Sequence, residues 1–173
     1  MVQIIADAKV WDAAREHLDA HAERVGFFLA DWLPLERRFR VRGWRPIDDA
    51  AASGPGELHV SLPDEIRSAV IQWAWAEDAC LIEAHSHGRW SPAAFSLFDL
   101  RNLDQWVSHL WWRLRGRPYA AIVTSALDLD ALAWIDNPGK TEQVDGIVAA
   151  AFFPATKATR SFERKGGYGR EPL

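Results

Sequence analysis

The chain has 173 residues, of which 49% are hydrophobic and 25% charged, and its formal net charge is −4. This length and composition are typical of one globular domain, and the weakly acidic charge argues against nucleic-acid or membrane-surface partners. Cys80 is the only cysteine, which excludes internal disulfides and cysteine-ligated zinc and favours a reducing cytoplasm. We see no secretion signal and no apolar run of the ~18 residues that a membrane span needs, so we expect neither.

The first half of the chain predicts alternating strands and helices. Val2–Ile5 is a candidate strand, followed by a helix that Asp7 or Asp12 can cap and that runs to about Ala22. The continuous apolar run Val25–Leu33 is typical of a central strand that is covered on both faces. The next predicted elements are a strand containing Phe39, Val41 and Trp44, a loop over Asp48–Gly56, a strand at Glu57–Leu62, a helix opened by Pro63 and a strand at Ala79–His85.

The second half begins with a long predicted helix. Ser96 can cap it with Asp99 at the third helical position, the arrangement of a capping box, and apolar residues then recur at helical spacing from Leu97 to Leu114. Further strands are predicted at about Tyr119–Ser125, Ala131–Ile135 and Ile147–Phe153, and residues 156–173 form a basic, glycine-rich segment that we interpret as a mobile tail. The pattern therefore predicts one α/β domain with a mixed sheet over residues 1–155.

The segment from His85 to Asp99 carries the strongest functional signal. His85 and His87 are two residues apart at the end of a predicted strand, so both imidazoles project from the same face. Ser96 and Asp99 are three apart on a helical turn, so the Asp99 carboxylate can turn toward the same point. Two imidazole nitrogens and one carboxylate oxygen are the ligand set of a catalytic zinc that keeps a fourth position for water. The pattern predicts a hydrolytic zinc site.

A hydrolytic zinc site also needs a base that takes a proton from water and passes it to the leaving group. Two glutamates are candidates. Glu23 precedes the apolar strand Val25–Leu33, where a raised pKa would suit proton transfer. Glu83 lies two residues before His85 on the same strand face. The residue pattern favours Glu23 but leaves both open.

Together these residues resemble the JAMM motif of the MPN, or JAB, metallopeptidases, which has a distant glutamate, then His-Ser-His-Pro, then Ser-x-x-Asp. Glu23-x-x-Gly26 resembles the glutamate-bearing strand of that family, and the order of elements is similar over about Val2–Phe153. This sequence departs from the motif in two places. Gly88 stands where the family has proline, and the segment between the second histidine and Ser96 is eight residues long rather than seven, which makes Ser91 a rival for the serine position.

The resemblance implies that His85, His87 and Asp99 bind one zinc ion, that Glu23 is the general acid/base and that Ser96 helps to hold the oxyanion of the tetrahedral intermediate. It implies a single-domain α/β/α sandwich with a mixed sheet, the cytidine-deaminase-like fold. It also implies cleavage after the C-terminal glycine of a ubiquitin-like protein. The partners would be that protein, its conjugates and its cognate activating and conjugating enzymes, because short bacterial members occur beside such enzymes, including in antiviral defence operons.

Three other functions fit parts of the sequence. His21-Ala22-Glu23 is similar to the His-x-Glu of zinc nucleobase deaminases, but their Pro-Cys-x-x-Cys needs more than one cysteine. A metal-dependent phosphoesterase can use His-x-His but needs further ligands to hold two metals. A non-catalytic MPN-type scaffold would have lost the zinc ligands or the glutamate, and all are present here. We expect His21 and His59 to lie at the surface or beside the ligands rather than to bind the metal, and we expect His109 to be a packing residue.

Overall fold

The computed structural model describes residues 1–20, 22–48, 62–87 and 92–159. Its strands are β1 (Val2–Ile5), β2 (Val25–Leu33), β3 (Arg38–Pro46), β4 (Cys80–Ser86), β5 (Tyr119–Thr124), β6 (Leu129–Trp134), β7 (Glu142–Val148) and β8 (Phe152–Pro154). The helices within those ranges are α1 (Ala8–Leu18), α2 (Asp64–Ala76) and α3 (Leu97–Arg113). None of these helices has the length and apolar character to cross a membrane.

The strands close into a seven-stranded mixed β-barrel, so the predicted α/β/α sandwich of cytidine-deaminase-like type is wrong. The order around the ring is β1-β3-β2-β4-β5-β6-β7, and β1 also pairs with β7, which joins the two ends. β1 is parallel to both of its neighbours and β4 is parallel to β5, whereas the other pairs are antiparallel. Because the sheet closes on itself, it does not present two open faces between two layers of helices.

The interior of the ring is filled by side chains from all seven strands and from α1. Trp11 of α1 lies against Phe28 of β2, with ring centroids 6.3 Å apart, and Phe28 in turn contacts Trp44 of β3 at 4.4 Å. Gly26 allows this packing, because a Cβ there would overlap the Trp44 ring. The lone thiol of Cys80 lies in the same cluster, and burial raises its pKa to about 12. This cysteine is therefore an inert core residue.

The other two helices cover the outside of β2, β4, β5 and β6. Val70 and Ala74 of α2 and Leu103, Val107 and Leu110 of α3 belong to a second hydrophobic cluster that includes the outward side chains of these strands. The carboxyl end of β4 and the amino end of α3 meet at one edge of this cluster. The candidate site lies there.

Most of the predicted elements agree with the observed ones, although several boundaries differ. β1 and β2 have the predicted bounds, but α1 ends at Leu18 rather than near Ala22. The predicted strand Ile147–Phe153 corresponds to the end of β7 and to β8, which a turn separates, and most of β7 was not predicted. The predicted strand Glu57–Leu62 apart from Leu62 itself, most of the loop over Asp48–Gly56 and the tail from residue 160 onward lie outside the described residues.

Candidate metal centre

Backbone pairing brings the strand-borne candidates together at the end of β4. His85 pairs with Val25 of β2 on one side and with Val123 of β5 on the other. The ladder continues past the end of β2, because Ser86 N donates to Arg24 O at 2.8 Å and Arg24 N donates to Ser86 Oγ at 3.0 Å. This extension places Glu23 at the level of His87, on the face of the sheet that carries both histidines.

The helix-borne candidates form the predicted capping box. Asp99 N donates to Ser96 Oγ at 3.1 Å, and Ser96 N donates to Asp99 Oδ2 at 2.7 Å. The Ser96 hydroxyl also donates to Asp99 Oδ2 at 2.7 Å. These bonds restrain the Asp99 carboxylate, so the first turn of α3 presents it in a defined orientation.

His85, His87 and Asp99 converge on one point. Asp99 Oδ2 lies 3.3 Å from His87 Nε2 and 3.8 Å from His85 Nε2, and one ligand atom of each residue lies within 4.8 Å of the others. Ligands held ~2.0–2.1 Å from a tetrahedral zinc ion lie roughly 3.3 Å from one another. His85 Nε2 is buried and has no hydrogen-bond partner among the described residues. An orphaned, buried imidazole nitrogen beside a carboxylate fits a metal ligand, so the group can hold a metal ion.

The electrostatics of the cluster favour a cation. Burial acts to raise the pKa of Asp99, but the neighbouring imidazoles of His85 and His87 and the Ser96 hydroxyl outweigh it and hold that pKa well below its usual value. The hydrogen bond to Asp99 is the largest cause that raises the pKa of His87, and the charge of Glu23 adds to it. A divalent ion takes the place of such protons on imidazole nitrogens.

Glu23 lines a small cavity together with two of the candidate ligands, His85 and Asp99. The cavity has a volume of about 60 Å³, enough for an ion and water, and α2 and α3 form one of its walls. It is lined by Glu23, Val25, Leu62, Arg67, Glu83, His85, Asp99, Asn102, Leu103 and Trp106. A carboxylate at this position can exchange a proton with a molecule that is bound beside the cluster.

Glu83, the second candidate base, occupies a different position. Its Oε1 lies 3.9 Å from His85 Nδ1, the ring nitrogen that does not face Asp99. Its Oε2 accepts a hydrogen bond from Tyr119 OH at 2.9 Å, and burial raises the pKa of the carboxyl. Sequence reasoning missed Tyr119 and Trp106, whose indole donates to the tyrosine, because no local pattern links them to the motif. The two glutamates therefore flank the cluster on different sides.

Near the C-terminal end of the described residues, Thr159 anchors the segment that leads into α3. Thr159 Oγ1 donates to the fully buried Asp130 Oδ2 at 2.6 Å and accepts from Phe95 N at 3.0 Å. Phe95 directly precedes Ser96, and its ring lies edge-on to the His85 imidazole with centroids 5.7 Å apart. Thr159 and Asp130 were not singled out from the sequence.

The remaining candidates take no part in the described cluster. His109 is exposed on α3 and stacks on Trp106 with centroids 6.0 Å apart, in accord with a packing role. Ser91, Gly88, His21 and His59 lie outside the described residues. Within the described part of the chain, the predicted Glu23, His85, His87, Ser96 and Asp99 lie together at one edge of the barrel.

No protein-family model matches the sequence, and no curated protein matches it. Among solved structures, the chain is similar to protein DSY2949 from Desulfitobacterium hafniense, with a TM-score of 0.57 and 13% sequence identity. The match covers 86% of this chain and 93% of that chain. At this identity the likeness shows a common fold alone.

Proposed function

We propose that this chain is a zinc-dependent peptidase or isopeptidase that cleaves after the C-terminal glycine of a ubiquitin-like protein. The observation that carries the hydrolytic part is the convergence of His85, His87 and Asp99, with an unpartnered buried nitrogen on His85, beside a cavity lined by Glu23, His85 and Asp99. When bound, zinc supplies a Lewis acid that polarises a carbonyl and lowers the pKa of water to about 7.

Each side chain has a separate role in this proposal. The two histidines and Asp99 hold the ion, and the capping box orients Asp99. Glu23 accepts the proton of the attacking water and delivers it to the departing amine. The Ser96 hydroxyl, which donates to Asp99 in this structure, turns toward the substrate to stabilise the oxyanion. The wall formed by α2 and α3 limits the entry of bulk water.

The substrate class rests on the likeness of the motif to the JAMM pattern, and neither the barrel nor the similar solved structure bears on it. Glycine suits such a site, because a residue without a side chain can pass through a narrow entrance in extended form. The proposed partners are a ubiquitin-like protein, its conjugates and the activating and conjugating enzymes of the same pathway. A reducing cytoplasm suits the single, buried thiol of Cys80, and an antiviral pathway is one setting for this chemistry.

A reporter fusion tests the proposal. The zinc-loaded protein should split a ubiquitin-like protein from a reporter joined through the terminal glycine, and strong chelators should stop the reaction while cysteine-directed reagents should not. Glu23→Gln should abolish most cleavage and retain zinc, because it removes the proton carrier but no ligand. Glu36→Gln, a change to an exposed glutamate in an ion pair with Arg38, is the matched control.

Three outcomes contradict parts of the proposal. If Glu23→Gln cleaved the fusion at the wild-type rate, Glu23 would not be the base. Survival of fusions and lysine conjugates, with consumption of a phosphoester instead, would replace the peptidase by a phosphoesterase. The described residues offer one group of three metal-binding side chains, whereas a two-metal phosphoesterase needs ligands for a second ion. A protein that binds zinc and the ubiquitin-like protein but cleaves nothing would be a scaffold.

A further inference from the structure

A chain of polar contacts runs from α3 through β5 to the metal-ligand strand β4. Trp106 Nε1 donates to Tyr119 OH at 3.1 Å, and Tyr119 OH donates to Glu83 Oε2 at 2.9 Å. The other oxygen of this carboxylate, Oε1, lies 3.9 Å from His85 Nδ1. Trp106 and Tyr119 are 8% and 2% exposed, and the Glu83 side chain is 16% exposed, so water has little access to the chain.

The direction of these bonds is fixed by chemistry. An indole nitrogen can only donate, so the Tyr119 oxygen accepts from Trp106 and uses its own proton toward Glu83. The Glu83 oxygen that remains is an acceptor, and the nearby imidazole nitrogen is its natural donor. An imidazole that carries its proton on Nδ1 has a free lone pair on Nε2, which is the nitrogen that faces Asp99.

We propose that Trp106, Tyr119 and Glu83 act as positioning residues that fix the tautomer and ring orientation of His85 for metal binding. The inference rests on the proposed function only in taking His85 as a metal ligand. Metal-bound histidines regularly donate their second ring nitrogen to a carboxylate, which sets the ring orientation and strengthens the metal bond. Glu83 Oε1 and His85 Nδ1 lie 3.9 Å apart, so a shift of about 1 Å by either side chain would complete the hydrogen bond.

The alternative, that these groups only fill space, does not account for their polarity. Tyr119 and Trp106 lie in the outer hydrophobic cluster, among side chains such as Val107, Leu110 and Val123. Burial of a hydroxyl and a carboxyl there costs free energy unless each is hydrogen-bonded, and apolar residues of the same volume would avoid that cost. The bonds from Trp106 to Tyr119 and from Tyr119 to Glu83 remove that cost for the hydroxyl and for one carboxyl oxygen. The other carboxyl oxygen lies 3.9 Å from Nδ1 of the candidate ligand His85.

Two nearly isosteric variants test this series of contacts from Trp106 through Tyr119 and Glu83 to His85, which we call the relay. Tyr119→Phe removes one hydroxyl, and Glu83→Gln presents an amide N–H₂ to Nδ1 when its oxygen accepts from Tyr119. In both, the zinc dissociation constant, measured by competition with a coloured chelator, should rise about 10–100-fold. Nitrogen NMR of the metal-free protein should show His85 as the Nδ1–H tautomer in the wild type and a shift toward Nε2–H in Glu83→Gln. Trp134→Phe is the control, because Trp134 packs 5.8 Å from the Tyr119 ring and makes no bond in the relay.

The outcomes separate this inference from the proposed function. Unchanged zinc affinity and an unchanged His85 tautomer in both variants would overturn the relay, even if the wild type binds zinc and cleaves its substrate. A wild type that binds no zinc would refute the proposed function, and the tautomer measurement on the metal-free protein would still decide the relay. An equal loss of zinc affinity in Trp134→Phe would show a general packing effect and would also overturn it. If Tyr119→Phe does not fold, Trp106→Phe removes the first donor and takes its place.

Discussion

The two halves of the candidate site are held in place by different kinds of structure. His85 lies in a central strand that is paired on both sides, with Val25 and Val123 as its cross-strand neighbours. Asp99 lies at the start of a helix, where it is held by the capping box with Ser96. The strand half is therefore fixed by a network of backbone bonds, whereas the helix half depends on a few side-chain bonds.

His85 and Asp99 are close in sequence, but different parts of the chain hold them in position. The backbone that leads into α3 is anchored at Phe95 by Thr159, and Thr159 is anchored by the buried Asp130. Both anchors are far from the motif in sequence. We therefore expect variants at these positions to affect the helix half and to leave the strand half intact.

The largest effect is expected from Thr159→Val, which keeps the shape of the side chain and removes the hydroxyl. Phe95 N then loses its acceptor, and Asp130 loses one of its donors. The free energy of unfolding should fall by about 1–3 kcal/mol, the cost of leaving buried polar groups unpaired. Denaturant titration measures this change.

Hydrogen exchange shows which half the change affects. In Thr159→Val, exchange should accelerate at Phe95 and in the first turn of α3 and stay the same along β4. Thr159→Ser, which retains the hydroxyl, is the matched control and should lose less stability. Equal acceleration in β4 and α3 would contradict the separation of the two halves.

A smaller loss of stability is expected from Ser96→Ala. The change removes the hydroxyl that caps α3 and should lower the free energy of unfolding by about 1 kcal/mol. Asp99 Oδ2 keeps the bond from the backbone nitrogen of residue 96, so zinc should stay bound. The proposed oxyanion role adds a kinetic effect of about 2.7–4 kcal/mol on the barrier, visible as a lower kcat.

Ser96→Thr separates the two roles of the serine, because threonine retains a hydroxyl that can cap the helix. It should fold like the wild type and keep most of its activity. A Ser96→Ala variant with normal kcat and reduced stability would limit Ser96 to the cap and would remove it from the proposed chemistry.

Local features of the site could be predicted from the sequence. The spacing of His85 and His87 at the end of a strand and the Ser96-x-x-Asp99 cap depend on residues close together in the sequence, so the local pattern predicted them. The positions of Glu23 and Glu83 relative to the metal cluster could not be predicted from the sequence. Glu83 accepts a hydrogen bond from Tyr119, which accepts one from Trp106, and both partners lie on other elements. Hydrogen bonds between distant segments leave no periodic signal in the sequence.

The fold class was wrong for a similar reason. Closure of the barrel depends on β1 pairing with β7, and β7 contains Glu142, Gln143 and Asp145 among its apolar residues. Because of these polar residues, β7 lacks the apolar alternation that predicts a strand. Its pairing with β1 was therefore not predicted. A local pattern can predict individual strands. It does not predict that the two edge strands of a sheet pair and close it into a barrel.

X-ray absorption of the zinc-loaded protein identifies the atoms that bind the ion. We expect one zinc ion per chain with two imidazole nitrogens and oxygen ligands at about 2.0–2.1 Å. His87→Ala should lose one of the imidazoles and most of the bound zinc. A spectrum with sulfur ligands, a chain that binds no zinc, or a His87→Ala variant with an unchanged zinc shell would refute binding by His85, His87 and Asp99.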